Sequence, residues 1–396
     1  MEELFHIAPY TGYVYPNETI IPWGILIVIY PYITGLVAGS FTVSTFYHVF
    51  GVPRFKPVAR FALLTALSFM LLVPIPLMFH LGQPTRALNA IITPHWTSAF
   101  AAFGYFAGFY VIVLMLEIWF VFREDIVAKA QRTKGVLQLF YRALTLGSYD
   151  VSEKSLAYDH KWLKALAIIG IPAAHGLHGY VGFVFGSLKS REWWASDLMP
   201  AIFLASAIIS GVAILIVLYV GVSRFRKVTI DETCMKGLAY MLWGFLIFTM
   251  VLEFLEFVNV VYKGREGIDT IMQLINGPLW FSIWILQVGG SLAAFFILTY
   301  MIARDTRGKH LVIGLTVSAL LVLIAVLAMR WNVVIGGQEL SKTMTGLLSY
   351  QMPILGREGL LAVIGIFSAP LILLWVLARL FPPWVPSESN TSSQAS

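Results

Sequence analysis

One cysteine, Cys234, in 396 residues rules out several chemistries at once. No disulfide can form within the chain, no cysteine-ligated iron–sulfur cluster can be held, and no Cys-x-x-Cys-His haem attachment exists. A redox metal would have to be a b-type haem held by histidines, or belong to a partner. Charge is scarce as well: Asp, Glu, Lys and Arg make up 12% of the residues, against roughly 25% in soluble domains. With 58% hydrophobic residues and a mean hydropathy of +0.79, the composition is that of a polytopic membrane protein. The net charge of +6 does not point to nucleic acid, because Lys and Arg gather in short loops between apolar runs, where they set topology.

Those apolar runs, each of about 20 residues or more, lie near 21–49, 61–81, 98–122, 162–187, 199–222, 237–262, 278–303, 311–330 and 358–380. The expected fold is all-α, with about nine transmembrane spans. No basic region precedes the first run, which is long enough to cross a bilayer, so a cleavable signal is not expected. The loops 50–60, 123–161, 223–236 and 303–310 carry most of the Lys and Arg, and the N-terminal tail carries neither. The positive-inside rule then places the N-terminus outside and the C-terminus inside. The expected organisation is an outer tail over 1–20, a transmembrane domain over 21–380 and a Ser/Asn/Gln-rich, disordered cytoplasmic tail over 381–396. Segment 124–150 has a 3.6-residue apolar period between basic residues, which fits an amphipathic helix in the inner interface or a plain solvated connector.

Ionisable groups are costly inside a membrane and mark sites there. In span four, His175 and His178 are three residues apart and share a helical face; in span six, Glu253, Glu256 and Asn259 do the same. Span two ends at His80, span eight at Arg330-Trp331-Asn332, and Tyr30 and Tyr32 lie two to three turns into span one. With the orientation above, all these groups fall in the outer half of the membrane. Carboxylates and imidazoles lined by Tyr and Trp suit a flat polar ring with a greasy tail. Quinol oxidation releases two protons with its two electrons, so His178 and Glu256 are candidates to bind the ring oxygens or take the protons. Any one of these groups has an ordinary alternative, a hydrogen bond to a neighbouring helix or to buried water. That ordinary role is the reading taken for Glu117, His48 and His95, and for Glu253 it stays open. Two other classes are compatible with the chain. A transporter would show paired repeats with broken helices, and no convincing repeat is found. A b-type cytochrome could ligate haem with His80 and either His175 or His178, although His80 lies at a helix end and no second pair sits at matching depth.

At these residues the sequence resembles the NrfD/PsrC family of integral membrane quinone-interacting subunits, nearest its longer HybB/DsrP-like members. The most specific match is Arg330-Trp-Asn-Val-Val-Ile-Gly-Gly-Gln338. Gly35-Leu-Val-Ala-Gly39, His80-Leu-Gly-Gln-Pro84 and His178-Gly-Tyr-Val-Gly-Phe-Val-Phe-Gly186 support it, and the resemblance covers about residues 20–380. It implies two four-helix bundles plus one extra helix, no haem, iron–sulfur cluster or other metal in this chain, and a quinone site near the outer face, with menaquinone as the expected type. It further implies a ferredoxin-like iron–sulfur subunit docked outside, further redox subunits in the complex, and a role in anaerobic respiration of sulfur compounds. Tyr30, His178 and Glu256 match polar positions of the family. With Arg330 they form the expected quinone pocket, and His80, His175, Glu253 and Gln338 its wall or roof. Two positions depart from the family's pattern. His80 and Gln83 stand where relatives carry Asp and Arg, and span seven lacks an acid found in many of them, which puts a proton path through that bundle in doubt.

Overall fold

The structure is a computed structural model, and residues 20–264 and 267–384 are described. The expected tails at 1–20 and 381–396 lie, but for residues 20 and 381–384, outside those residues. Among the described residues there is no strand, and nine helical segments are long and apolar enough to cross a membrane. The protein is an all-α, multi-pass membrane protein.

The helices are α1 (Ile25–His48), α2 (Lys56–Met70), α3 (Pro74–His80), α4 (Asn89–Ile92), α5 (Phe103–Arg132), α6 (Val136–Leu144), α7 (Glu153–Gly186), α8 (Met199–Phe225), α9 (Glu232–Tyr262), α10 (Ile268–Asn276), α11 (Gly290–Ala303), α12 (Gly308–Val334), α13 (Gly336–Glu339) and α14 (Leu360–Leu380). Two spans are composite. The second breaks between α2 and α3, where Pro74 and Pro76 remove backbone donors. The seventh begins with a π-helical stretch, Phe281–Gly289, that runs into α11.

Sequential spans alternate in direction and so define two faces. The first face carries the start of α1, the ends of α3, α7, α9 and α12, and the start of α14; the second carries the loops rich in Lys and Arg. Helix α1 packs on α2 and α7, and α5 packs on α2 and α7, closing one ring of four. Helices α8, α9, α11 and α12 close a second ring, and α14 lies outside the first, against α2. This is the expected pair of four-helix bundles with one extra helix.

Small residues join the rings. A Cβ at Gly39 of α1 would sit 2.2 Å from the Ile208 carbonyl oxygen and 2.7 Å from Cα of Gly211 on α8, so only glycine lets the two backbones cross there. Such contacts suit a bilayer, where lipid is as apolar as leucine and close backbone packing drives helix association. Ser40 Oγ adds a hydrogen bond to the Gly211 carbonyl at 3.3 Å, and Tyr32 Oη donates to Leu323 O of α12 at 3.1 Å.

On the second face, α5 and α7 run past the apolar runs at 98–122 and 162–187, to Arg132 and from Glu153. A buried ion pair holds these extensions together. Arg123 donates to both carboxylate oxygens of Asp159, to Ser155 and Ser148 Oγ at 3.0 Å each, and to Asp150 O at 2.9 Å. The amphipathic segment expected over 124–150 is therefore shorter. Residues up to 132 continue α5, and only α6 is a separate helix, with Val136, Leu137 and Leu139 exposed.

Candidate functional site

The second bundle encloses a cavity of about 500 Å³ toward the first face, a size typical of small-molecule sites. Its walls are apolar, with Met250, Phe254, Phe257, Ile283, Trp284 and Val333 among the lining residues, and the polar groups that reach it are few: Glu253 and Glu256 from α9, Gln287 and Ser291 from the seventh span, and Asn332 from α12. Glu256 lies six residues from the first-face end of α9 and Glu253 nine, or about 9 and 13 Å at 1.5 Å per residue.

Why these side chains meet follows from the helix pairing. Helix α9 and the seventh span are antiparallel, and their contacts keep one register: Phe257 opposite Trp284, Glu253 opposite Gln287, Trp243 opposite Thr299. Gln287 Nε2 donates to Glu253 Oε2 at 3.0 Å, while Gln287 Oε1 accepts from Asn332 Nδ2 at 2.7 Å. Asn332 Oδ1 accepts in turn from Ser282 Oγ. The result is a relay of four side chains across three helical segments, which fixes the carboxylate of Glu253 against the cavity. Glu256 is held separately, accepting from Ser196 Oγ at 2.7 Å. Ser282 and Gln287 belong to the π-helical stretch, whose wider turns recur at functional sites.

Of the residues named from the sequence, Glu253 and Glu256 line this cavity. Arg330 stands one residue beyond its lining residue Met329, 1% exposed, with its guanidinium 3.9 Å above the Phe203 ring and bonded to Ser206 Oγ at 2.7 Å. Its charge acts on Glu253 and on Tyr32. The other residues are in different places. Tyr30 is buried in the first bundle against Phe103, with ring centroids 5.6 Å apart. His178, also buried there, places one ring nitrogen 2.6 Å from Ala174 O and the other against Thr34 O of α1; His175 meets Ile171 O at 2.7 Å and Thr42 Oγ1 at 3.3 Å. These histidines thus tie α7 to α1. His80 pairs with Glu358 at 3.3 Å, at the foot of α14.

Gln338 closes the first face. Its amide accepts from Trp23 N and donates to Trp23 O, both at 2.9 Å, and donates to Val334 O at 2.8 Å. Beside it, Tyr350 Oη accepts from Ile25 N at 3.0 Å. Gly24 at the N-cap offers no side chain to the first amides of α1, so Tyr350 satisfies the Ile25 amide instead, while Gln338 holds Trp23 just before the helix. Burial raises the pKa of the Tyr350 hydroxyl.

Gln287 was not among the candidates drawn from the sequence, and Asn332 was placed in the outer layer beside Arg330 but not in the pocket. Both are amides in otherwise apolar spans, and their depth in the antiparallel register, level with Glu253, is the signal that finds them.

Fold and site together define a class: an integral membrane protein of two fused four-helix bundles, the second enclosing an apolar cavity furnished with two acids and two amides. A family model described as "Polysulphide reductase, NrfD" matches residues 15–341, and the chain belongs to that family. It is 35% identical to a selenate reductase subunit of Mesobacillus selenatarsenatis, over 79% of this chain and 73% of that one. It is 24% identical to the Hdr-like menaquinol oxidoreductase integral membrane subunit of Archaeoglobus fulgidus, over 80% and 71%. Protein NrfD of Escherichia coli is also 24% identical, over 80% of this chain and 95% of that protein.

Proposed function

We propose that this chain is the quinone-binding membrane subunit of an oxidoreductase complex, exchanging electrons between a menaquinone-type quinol and an iron–sulfur partner docked on the first face. The single observation that carries the reading is the cavity in the second bundle. Its apolar walls and few convergent polar groups suit a flat ring with two oxygens and a long hydrocarbon tail. Relatives support it, one being named a menaquinol oxidoreductase subunit and another a reductase subunit.

A quinol supplies two electrons and two protons when oxidised, and the chain's residues divide the accompanying work. Glu253, fixed by Gln287, and Glu256, fixed by Ser196, present carboxylate oxygens that accept hydrogen bonds from ring hydroxyls and take their protons. Glu256 is the nearer to the first face and passes its proton that way. Arg330 steadies the charge on Glu253 from behind the wall. The surrounding rings and methionines exclude water, which strengthens each of these interactions. Tyr30, His175 and His178 form a second polar layer in the neighbouring bundle and brace α1 and α7 against it, with His80 and Gln338 as its rim. The electrons leave to the partner, since one cysteine cannot hold a cluster here.

The lysine- and arginine-rich second face is the cytoplasmic one and the first face the outer one, so oxidation at this cavity releases protons outside the cell membrane. The complex as a whole acts on an oxidised sulfur or selenium species through its other subunits. The b-type cytochrome reading gains nothing from the structure: His175 and His178 spend their ring nitrogens on the α1 and α7 backbones and on Thr42, and His80 lies 3.3 Å from Glu358. Menaquinone-4 binding to the full chain in lipid nanodiscs tests the reading. We expect saturable binding that Glu253→Gln and Glu256→Gln each weaken at least tenfold; no saturable binding by the unsubstituted protein rejects it.

A further inference from the structure

At the opposite end of the second bundle, on the second face, lies another hollow, of about 390 Å³. Arg224 at the end of α8, Glu232 at the start of α9 and Lys309 at the start of α12 are its charged lining residues. The two cations come from different helices, and neither side chain makes a hydrogen bond or ion pair among the described residues. Other charges nearby are already matched. Lys236 and Arg307 bind Asp305, and the Arg226 guanidinium stacks 4.4 Å above the Trp384 ring. Glu232, the one acid of the lining, accepts from Gly308 N at 3.3 Å and stands 3.7 Å from Lys236. The hollow is left with uncompensated positive charge. Lys309 is moreover the second residue of α12, where the helix dipole opposes a cation, and the first turn there holds no acid.

The remainder of the lining is apolar. Leu311 is buried and Ile230 and Val312 are half-buried, while Val228 and Ile313 are 52% and 53% exposed. Arg224 stands two residues beyond the apolar run that ends at 222, and Lys309 two residues before the one that begins at 311. Both cations therefore sit about 3 Å outside those runs, at the depth of lipid head groups, and Val312 and Ile313 lead from them toward the hydrocarbon. The positive-inside rule accounts for Lys and Arg on this face. It does not account for two of them, from separate helices, lining one hollow unpaired above an apolar wall.

We propose that this hollow binds one anionic phospholipid, its phosphate held by Arg224 and Lys309 and an acyl chain running over Val312 and Ile313. Basic pockets between membrane-spanning helices suit such head groups. A soluble phosphate could meet the same two cations but gains nothing from the apolar wall, whereas a lipid uses both. A zwitterionic lipid brings its own cation and leaves the charge of the hollow unmatched. With the phosphate in place, two like charges that repel across the hollow share one counter-ion, and the end of α8 is tied to the start of α12.

The full chain, purified in detergent, is titrated with 1-palmitoyl-2-oleoyl-phosphatidylglycerol or with the phosphatidylcholine of the same chains, and bound lipid is counted by native mass spectrometry. The first phosphatidylglycerol is expected to bind at least tenfold more tightly than phosphatidylcholine. Arg224→Gln and Lys309→Gln should each cut that preference to about threefold or less, and Arg224→Lys, which keeps the charge, should retain it. Arg132→Gln removes an exposed cation of the same face, at the end of α5 and outside the hollow, and should leave the preference unchanged. Millimolar glycerol 3-phosphate, which has the phosphate without the chains, should not displace the lipid. Equal binding of the two lipids by the parent overturns the proposal, as does a preference that survives both glutamine substitutions. A loss as large in Arg132→Gln assigns the pull to the whole basic face, and displacement by glycerol 3-phosphate assigns the hollow to a soluble phosphate; either result also overturns the lipid site.

Discussion

Replacing Gln287 with leucine isolates what the amide relay does for Glu253. The substitution keeps the volume and removes two hydrogen bonds, the one donated to Glu253 Oε2 at 3.0 Å and the one accepted from Asn332 Nδ2 at 2.7 Å. A hydrogen bond to a charged group contributes about 1.5–3 kcal/mol net. If that energy serves to orient Glu253 toward the ring, its loss raises the menaquinone-4 Kd about 10- to 100-fold, at 1.4 kcal/mol per decade. Part of the cost falls on folding, because the Asn332 amide and the Glu253 carboxylate each lose a partner, and unfolding should be easier by about 1–3 kcal/mol. Both quantities are measurable on one nanodisc preparation, the first by equilibrium binding and the second by the temperature at which buried Cys234 becomes reactive to a thiol dye. Ser291→Ala, on the same wall one turn further along, should change Kd no more than twofold. If Gln287→Leu binds within twofold of the parent, or no worse than Ser291→Ala, the relay does not position Glu253 and the argument for its role fails.

Three further outcomes are expected. Gly39→Val drives a side chain into the α8 backbone and should cost more than the 1–3 kcal/mol of ordinary core overpacking, whereas Gly108→Ala meets no atom within 4 Å and should be neutral or slightly stabilising; thiol-dye melting separates them. Arg123→Met strands the Asp159 carboxylate and should destabilise by about 3–5 kcal/mol, while Arg123→Met with Asp159→Leu recovers most of that loss; a double variant as unstable as the single one contradicts the ion-pair account. At the second face, hydrogen bonds from Lys236 and Arg307 hold the Asp305 carboxyl below its ordinary range. Because the folded-state pKa is depressed, this clip contributes above about pH 4 and is lost as pH falls through the folded value, so Asp305→Asn should lower the melting temperature at pH 7 and make no difference at the lowest pH the fold tolerates.

The spans were legible because each is a long apolar run, and their ends were not, since a helix can continue into water wherever side chains cover its polar atoms. Arg123 and Asp159, 36 residues apart, do this for α5 and α7, and no local pattern announces it. The resemblance of Gly35-Leu-Val-Ala-Gly39 to its family's motif now has a physical cause in the α1–α8 crossing. For the site, i,i+3 spacing put Glu253 and Glu256 on one face, and they share a cavity. The same rule put His175 and His178 on one face but could not say which bundle that face looks into. Depth along the membrane is readable from a sequence; which neighbour a helix turns toward depends on packing between segments a hundred or more residues apart.

Helix α1 is buried along its whole apolar length, beneath α2, α7, α8 and α12. It also leaves the ribosome before α8 does. At about 5–20 residues per second, the roughly 170 residues between its start and that of α8 take on the order of 10–30 s to synthesise. Through that interval the surface that will meet α8, including Ser40 and the bare backbone at Gly39, faces lipid or the insertion machinery. The central pillar of the finished molecule must therefore stand in a bilayer with only the earlier spans beside it. Thr34, Ser40, Thr42 and Thr45 each return a hydroxyl to the helix's own backbone, so these four do not depend on α8 for a hydrogen bond.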